Sequence, residues 1–101
     1  MVPCRVSIFF FFSLNFNSME NIDFKEERER FGQHILALRQ KIDSSDYEGR
    51  PISQQELADR SEYINKKTIG QIERGEINVK FETLIALAKV LKVELQDLFK
   101  Y

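Results

Sequence analysis

The chain has 101 residues, a formal net charge of −1, 31% charged residues and 43% hydrophobic residues, which is typical of one globular domain. This length is too short for a binding domain joined to a separate catalytic domain. Because the net charge is close to zero, any affinity for nucleic acid has to come from the local placement of charges. The single cysteine, Cys4, and the single histidine, His34, exclude a disulfide framework and a Cys/His zinc site within one chain.

The first 18 residues, MVPCRVSIFFFFSLNFNS, differ in composition from the rest of the chain. They hold five of the nine phenylalanines and one charged residue, Arg5. The apolar run 6–14 is shorter than the roughly 20 residues that span a bilayer, and no signal-peptide cleavage site follows it. We therefore assign residues 19–101 as the folded domain and residues 1–18 as a disordered or mis-called N-terminal extension. If the extension is mis-called, translation starts at Met19. A weak membrane-surface anchor is the alternative.

The first helix is predicted to begin after Asp23, which forms a capping box with Glu26. Its apolar residues recur with helical period and form one stripe: Phe31, Ile35, Leu38 and Ile42. Gly32 in the middle of this helix predicts a close contact with another helix. The KEERER run and His34 are expected on the solvated surface.

A loop rich in turn formers, residues 43–51, precedes a second helix. Ser53 and Glu56 predict a capping box, and the helix should extend from Gln54 to about Ser61.

A short connector, residues 62–65, then leads to a third helix over about residues 66–74. Asn65 is a favourable N-cap, and Gly75 can end the helix because glycine readily takes positive φ. Two capped helices joined by a short turn make a helix-turn-helix.

The third helix has one apolar side and one donor-rich side. At 100° per residue, Ile69 and Ile72 mark the buried side. The opposite side carries long side chains with hydrogen-bond donors, and two further polar residues flank it at the helix start: Lys67, Gln71 and Arg74, with Lys66 and Thr68. Gly70 beside them would permit close approach of a partner. These side chains suit base edges and phosphates in a DNA major groove, although most exposed helix faces are also polar.

Four stretches together resemble the phage repressor and Cro type of helix-turn-helix domain, the Xre family. They are FGQHILALRQ, SQQELADRS, TIGQIERGEIN and FETLIALAKVLKVELQDLF, and the match covers about residues 31–99. The resemblance implies an all-α fold, a compact five-helix lambda-repressor-like bundle whose second and third helices bind DNA.

The resemblance also implies roles for individual residues. Gln54 should touch the phosphate backbone, and three side chains should face bases: Lys66, Lys67 and Gln71. Asn65 and Thr68 should contact the DNA backbone or bases. Arg39 and Glu73 match a family pair that joins the first helix to the third.

The sequence departs from the family pattern at three places. The loop between Arg39 and Ser53 is lengthened, and it should lie on the surface. Glu62 stands where the family favours glycine, so the turn must differ in geometry or carry strain. Lys80 replaces the hydroxyl residue that caps the fourth helix, and lysine cannot accept the N–H bond.

The C-terminal third is expected to supply core residues. On the fourth helix these are Phe81, Leu84, Ile85, Ala88 and Leu91, and a short closing helix adds Val93, Leu95, Leu98 and Phe99.

The sequence predicts a DNA-binding protein rather than an enzyme. No glycine-rich phosphate loop, nucleophile beside a histidine or metal cluster is present, so no catalytic residue, metal or cofactor is assigned. The expected function is a small cytoplasmic, nucleoid-associated transcriptional regulator that binds double-stranded DNA as a homodimer. The alternative is an antitoxin-type module that binds a toxin partner, with DNA binding as autoregulation.

Overall fold

A computed structural model describes residues 21–101, so the predicted extension 1–18 lies outside the described residues. Residues 21–101 form four α-helices and a closing 3₁₀ helix: α1 (Phe24–Gln40), α2 (Gln54–Asp59), α3 (Lys66–Glu73), α4 (Phe81–Leu91) and the 3₁₀ helix (Leu95–Phe99). The predicted all-α class is confirmed, and the fifth helix is a 3₁₀ helix rather than an α-helix. None of the helices in this range is long and apolar enough to cross a membrane.

The predicted helix starts are confirmed at Ser53 and Asn65, whereas Asp23 shows only the first of the two bonds of its predicted capping box. The side chains of Asp23, Ser53 and Asn65 each accept a hydrogen bond from the backbone N–H three residues further on. At Ser53 the reciprocal bond from its backbone N–H to the side chain of Glu56 completes the capping box. Lys80 makes no side-chain cap bond, as its chemistry predicts.

One apolar core joins all five helical segments. Its fully buried members come from the five helical segments and from the residue before the N-cap of α2: Ile35, Ile52, Leu57, Ile69, Ile72, Leu87 and Leu98. The predicted stripe on α1 is confirmed, with Phe31 and Ile35 buried and Leu38 and Ile42 partly buried against the core.

The predicted core face of α4 is wrong at two positions. Phe81 is 63% exposed and Ile85 is 40% exposed, whereas Leu87 is fully buried. The segment FETLIALAKVL is apolar on most of its circumference, so helical period alone does not fix which side faces inward. Packing against the 3₁₀ helix and into the common core selects the side that carries Leu87 and Leu91.

Gly32 makes the close contact that its place in α1 predicts. A Cβ atom built there would collide with the carbonyl oxygen of Ile72 and lie 2.6 Å from that of Glu73. The absence of a side chain therefore lets α1 cross directly over the end of α3.

His34 is partly buried, so its predicted surface position is wrong. Its Nε2 lies 2.7 Å from the carbonyl oxygen of Asp97, and because a carbonyl only accepts, Nε2 donates this bond. His34 thus ties α1 to the 3₁₀ helix and has a structural role.

The lengthened loop between α1 and α2 is largely exposed, as predicted, and one carboxylate of α2 holds several of its residues. The Glu56 carboxylate accepts hydrogen bonds from the Ser44 hydroxyl at 2.7 and 2.9 Å and from the backbone N–H groups of Ser45 and Asp46. Together with its bond to the Ser53 N–H, these bonds hold the pKa of Glu56 below its ordinary value, the Ser44 hydroxyl being the largest cause. The carboxylate that caps α2 therefore also organises the loop.

The turn between α2 and α3 distinguishes the two alternatives predicted at Glu62. α2 ends at Asp59, earlier than the predicted Ser61, and the connector carries no residue with positive φ. Within residues 21–101 the non-glycine residue with positive φ is Lys92, after α4. Of the two alternatives at Glu62, the structure therefore supports a different turn geometry and not backbone strain, because the connector reverses the chain without positive φ.

Candidate nucleic-acid interface

α3 is fixed from two sides by packing. Ile69 and Ile72 are buried, as predicted, against the core that α1 and α2 share with α3. Gly75, just past the end of α3, has φ of 72°, and a Cβ atom built there would lie 2.8 Å from the backbone of Glu29. Arg28 donates a hydrogen bond to the Gly75 carbonyl at 3.1 Å. Part of the KEERER run therefore holds the end of α3 instead of being merely solvated.

The first turn of α3 presents an open, positively charged surface. Asn65, Lys66 and Lys67 are exposed, while Thr68 and Gln71 are partly exposed beside them. Neither lysine forms an ion pair within the described part of the chain. Asn65 uses its Oδ1 to accept from the Thr68 N–H at 2.8 Å, so its Nδ2 group and the second lone pair of Oδ1 remain for a ligand.

Arg39 and Glu73 form the pair that the family resemblance implies. Nε of Arg39 lies 2.6 Å from Oε2 of Glu73, and one terminal nitrogen lies 3.1 Å from Oε1, which makes the pair bidentate. The side chains are only 13% and 6% exposed. The other terminal nitrogen of Arg39 donates to the Ile52 carbonyl at 2.7 Å. One guanidinium therefore links α1, the start of α2 and the end of α3.

Gln54 belongs to the same polar cluster. Its Nε2 donates to Oε1 of Glu73 at 2.8 Å, so its side chain is engaged with α3 in this structure. The contact with DNA phosphate that the resemblance implies would have to come from the remaining donor on Nε2 or from the backbone N–H at the start of α2.

Arg74 lies at the C-terminal end of the same face, but an acidic neighbour holds it. Its Nε lies 2.8 Å from Oε2 of Glu76, and a second nitrogen lies 3.2 Å from Oε1. The hydrogen bond to Glu76 raises the pKa of Arg74, and the same bond lowers the pKa of Glu76. The guanidinium covers Gly70, where a Cβ would lie 2.9 Å from the Arg74 nitrogen. Gly70 is thus buried beneath side chains and is not open to a partner.

The charges on this surface are unevenly distributed. At its C-terminal end the exposed Arg74 pairs with Glu76, while Glu73 is paired with Arg39 inside the fold. At its N-terminal end neither Lys66 nor Lys67 forms an ion pair within residues 21–101. Residues near the start of a recognition helix are the ones that contact base edges in helix-turn-helix proteins. The free positive charge therefore lies where such a helix meets DNA.

Two comparisons with known proteins agree with this geometry. A family model described as a helix-turn-helix matches residues 51–98. The crystal structure of the restriction-modification controller protein C.AhdI from Aeromonas hydrophila is similar, with 29% identity and a TM-score of 0.63 over 77% of this chain and all of that chain. Residues 51–98 are therefore similar to helix-turn-helix proteins of the Xre type. No curated protein matches the sequence.

Within this helix-turn-helix domain, α2 and α3 are the two helices of the motif, and the chain is a DNA-binding regulator. The matched range includes every residue predicted to contact DNA, from Gln54 to Arg74. Arg39 and most of the lengthened loop lie outside it. The ion pair between Arg74 and Glu76 was not predicted, because it joins the C-cap of α3 to the residue that follows Gly75 and so depends on the turn at Gly75.

Proposed function

We propose that the protein binds double-stranded DNA in a sequence-specific manner by inserting the N-terminal half of α3 into the major groove, and that it acts as a small transcriptional regulator. The observation that carries the proposal is at the start of α3. Lys66 and Lys67 are exposed there and form no ion pair within residues 21–101, whereas the end of α3 is held by the Arg39–Glu73 pair. α3 is about 12 Å long at about 1.5 Å per residue, and the major groove is about 12 Å wide.

The side chains divide into two proposed roles. Lys67 and Gln71 lie one turn apart opposite the buried isoleucines, so they are the candidates for base edges, with Lys66 beside them. Gln can bind adenine through two hydrogen bonds, and Lys can bind guanine acceptors. Asn65, Thr68 and Gln54 lie at helix starts, where side-chain and backbone N–H groups suit phosphates.

The rigid attachment of α3 supports sequence reading rather than mere attraction to phosphates. A base contact needs a fixed helix angle, whereas phosphate attraction does not. The buried Arg39–Glu73 pair and the backbone contact at Gly32 both fix that angle from α1. Because one α3 covers few base pairs, we propose a homodimer on two half-sites about one helical turn apart.

Selection of bound sites from random duplex DNA with the chain 1–101 tests this function. A two-fold related motif should emerge from the selected pool. Lys66→Ala and Lys67→Ala should weaken binding to the selected duplex. Lys89→Ala, which removes an exposed lysine from α4, should leave the affinity unchanged. A pool without any motif would contradict sequence-specific binding.

The antitoxin alternative rests on exposed apolar surface near the turn. Tyr63 is 82% exposed and lines a groove of about 500 Å³ with Ile85 and Val90, and such a surface suits a protein partner. This alternative predicts that a toxin encoded beside the gene forms a stable complex with the chain. Tyr63→Ser and Ile85→Ser would then abolish that complex without changing DNA affinity.

A further inference from the structure

The ion pair between Arg74 and Glu76 places a carboxylate at the edge of the proposed DNA surface. The two side chains meet through two parallel N–H···O contacts of 2.8 and 3.2 Å, and they are 57% and 50% exposed. A carboxylate near DNA phosphates is repulsive, so a protein that only needed affinity would not place one there. Its presence next to the recognition helix therefore requires a physical role.

The neighbouring contacts indicate that Glu76 acts on Arg74. Glu73, the other acidic residue at this end, is already bonded to Arg39 and Gln54 inside the fold. Within residues 21–101, Glu76 makes its side-chain contacts with Arg74. Through them it draws the guanidinium back across Gly70 and matches its charge.

We propose that Glu76 is a specificity-determining residue, which withholds Arg74 from DNA phosphates and so weakens binding to non-operator DNA. This inference rests on the proposed DNA-binding function. Non-specific affinity arises almost entirely from lysine and arginine contacts with phosphates, so withholding one arginine lowers it. Specific binding depends on the N-terminal end of α3, where the lysines form no ion pair within residues 21–101. Withholding Arg74 therefore lowers specific affinity less than non-specific affinity.

The test compares salt dependence for the chain 1–101 and its Glu76→Gln variant on a non-operator duplex. Each additional phosphate contact steepens the slope of log K against log salt by about 0.9. Glu76→Gln should therefore bind non-operator DNA more tightly at low salt. Between 50 and 200 mM salt it should lose about 3- to 4-fold more affinity than the parent. The ratio of specific to non-specific affinity should fall.

A double-mutant cycle separates release of Arg74 from simple removal of a negative charge. Arg74→Gln alone should leave the salt slope unchanged, and Arg74→Gln with Glu76→Gln should return the slope to the parent value. If the double variant keeps the steeper slope, Glu76 acts by repulsion alone and the proposal is wrong.

Glu27→Gln is the matched control for charge. It releases Arg30 from a similar exposed pair on α1 and raises the net charge by the same amount. An equal change of slope in this control would also overturn the proposal, because any lost carboxylate would then suffice. A parent chain that binds no duplex overturns the DNA-binding function itself, whereas binding with no effect of Glu76→Gln overturns this inference alone.

Discussion

Replacement of Arg39 by methionine should destabilise the domain more than any other change to a charged side chain between residues 21 and 101. The substitution keeps an unbranched apolar stem but removes the guanidinium. It leaves the Glu73 carboxylate, 6% exposed, with the Gln54 amide as its remaining side-chain partner, and it leaves the Ile52 carbonyl without its donor.

The magnitude follows from the burial of the pair. Removing one partner of a buried ion pair costs roughly 3–5 kcal/mol, because the other charge stays desolvated, whereas an exposed pair contributes about 0–1 kcal/mol. The pair lies near the buried limit, so Arg39→Met should cost about 3–5 kcal/mol. Glu73→Gln should cost less, since an amide oxygen still accepts from Arg39 and Gln54.

The coupling energy isolates the ion pair from the other bonds of Arg39. The bond to Ile52 is lost in both backgrounds, so it cancels in a double-mutant cycle. We therefore expect a coupling of about 2–3 kcal/mol, which is smaller than the whole cost of Arg39→Met.

Denaturant titrations of the parent, Arg39→Met, Glu73→Gln and the double variant measure the four free energies of unfolding. The slopes with denaturant should agree among variants, so that midpoints report stability. Lys25→Met is the control, because Lys25 is 76% exposed in a 3.9 Å pair with Glu29 and should cost almost nothing. A coupling near zero would refute the argument, since the two side chains would then be independent.

Three further predictions concern stability and the loop. Gly32→Ala should lower the free energy of unfolding by more than about 1 kcal/mol in denaturant, despite better helix propensity, because the new Cβ meets backbone carbonyl groups; an unchanged value would contradict the close crossing. Lys80→Ser should stabilise the domain by about 1 kcal/mol in thermal unfolding, because Lys80 already has the extended backbone of an N-cap; a loss would show that serine forms no cap. Folding lowers the pKa of Glu56 below its ordinary value of 4.5. Its contribution to the stability of the folded state is therefore complete above pH 4.5, and it is lost as the pH falls through the lower pKa of the folded protein. Hydrogen exchange at Ser45 and Asp46 should therefore lose protection below pH 4.5, and Glu56→Gln should remove that protection at neutral pH.

Local sequence signals predicted the motif because its determinants are local. The cap residues Ser53 and Asn65 act on N–H groups three residues away, so their effect can be read from the sequence. The buried pair Ile69 and Ile72 follows from the helical period of a short amphipathic segment, and the structure confirms it. Gly32 was also predictable, because glycine inside a helix is costly unless a neighbour needs the space.

Contacts between distant residues were harder to predict. The side of α4 that faces the core depends on neighbours such as the 3₁₀ helix, which its nearly uniform apolar sequence does not encode. The loop clamp at Glu56 depends on residues 44–46 folding back onto the start of α2. His34 found its partner in Asp97, on the last helical segment, and no spacing rule connects them.

The sequence predicted which residue types lie on the candidate DNA surface, but not which of them form ion pairs within the fold. The periodicity of α3 placed Lys67, Gln71 and Arg74 on one side without showing which of them is free. The structure divides them, because Arg74 is paired with Glu76 while Lys67 forms no ion pair within residues 21–101. That division depends on the chain reversal at Gly75, which brings Glu76 back beside the helix end.

The most direct test of sequence reading by α3 is a set of binding free energies for the parent and for Gln71→Ala. Both are measured on the selected duplex and on each of its single base-pair substitutions. The account predicts that Gln71→Ala loses about 1–3 kcal/mol of preference at one base pair per half-site and keeps the preference elsewhere. A variant that retains the full preference at every position, or weakens binding equally to all sequences, would contradict base recognition by α3.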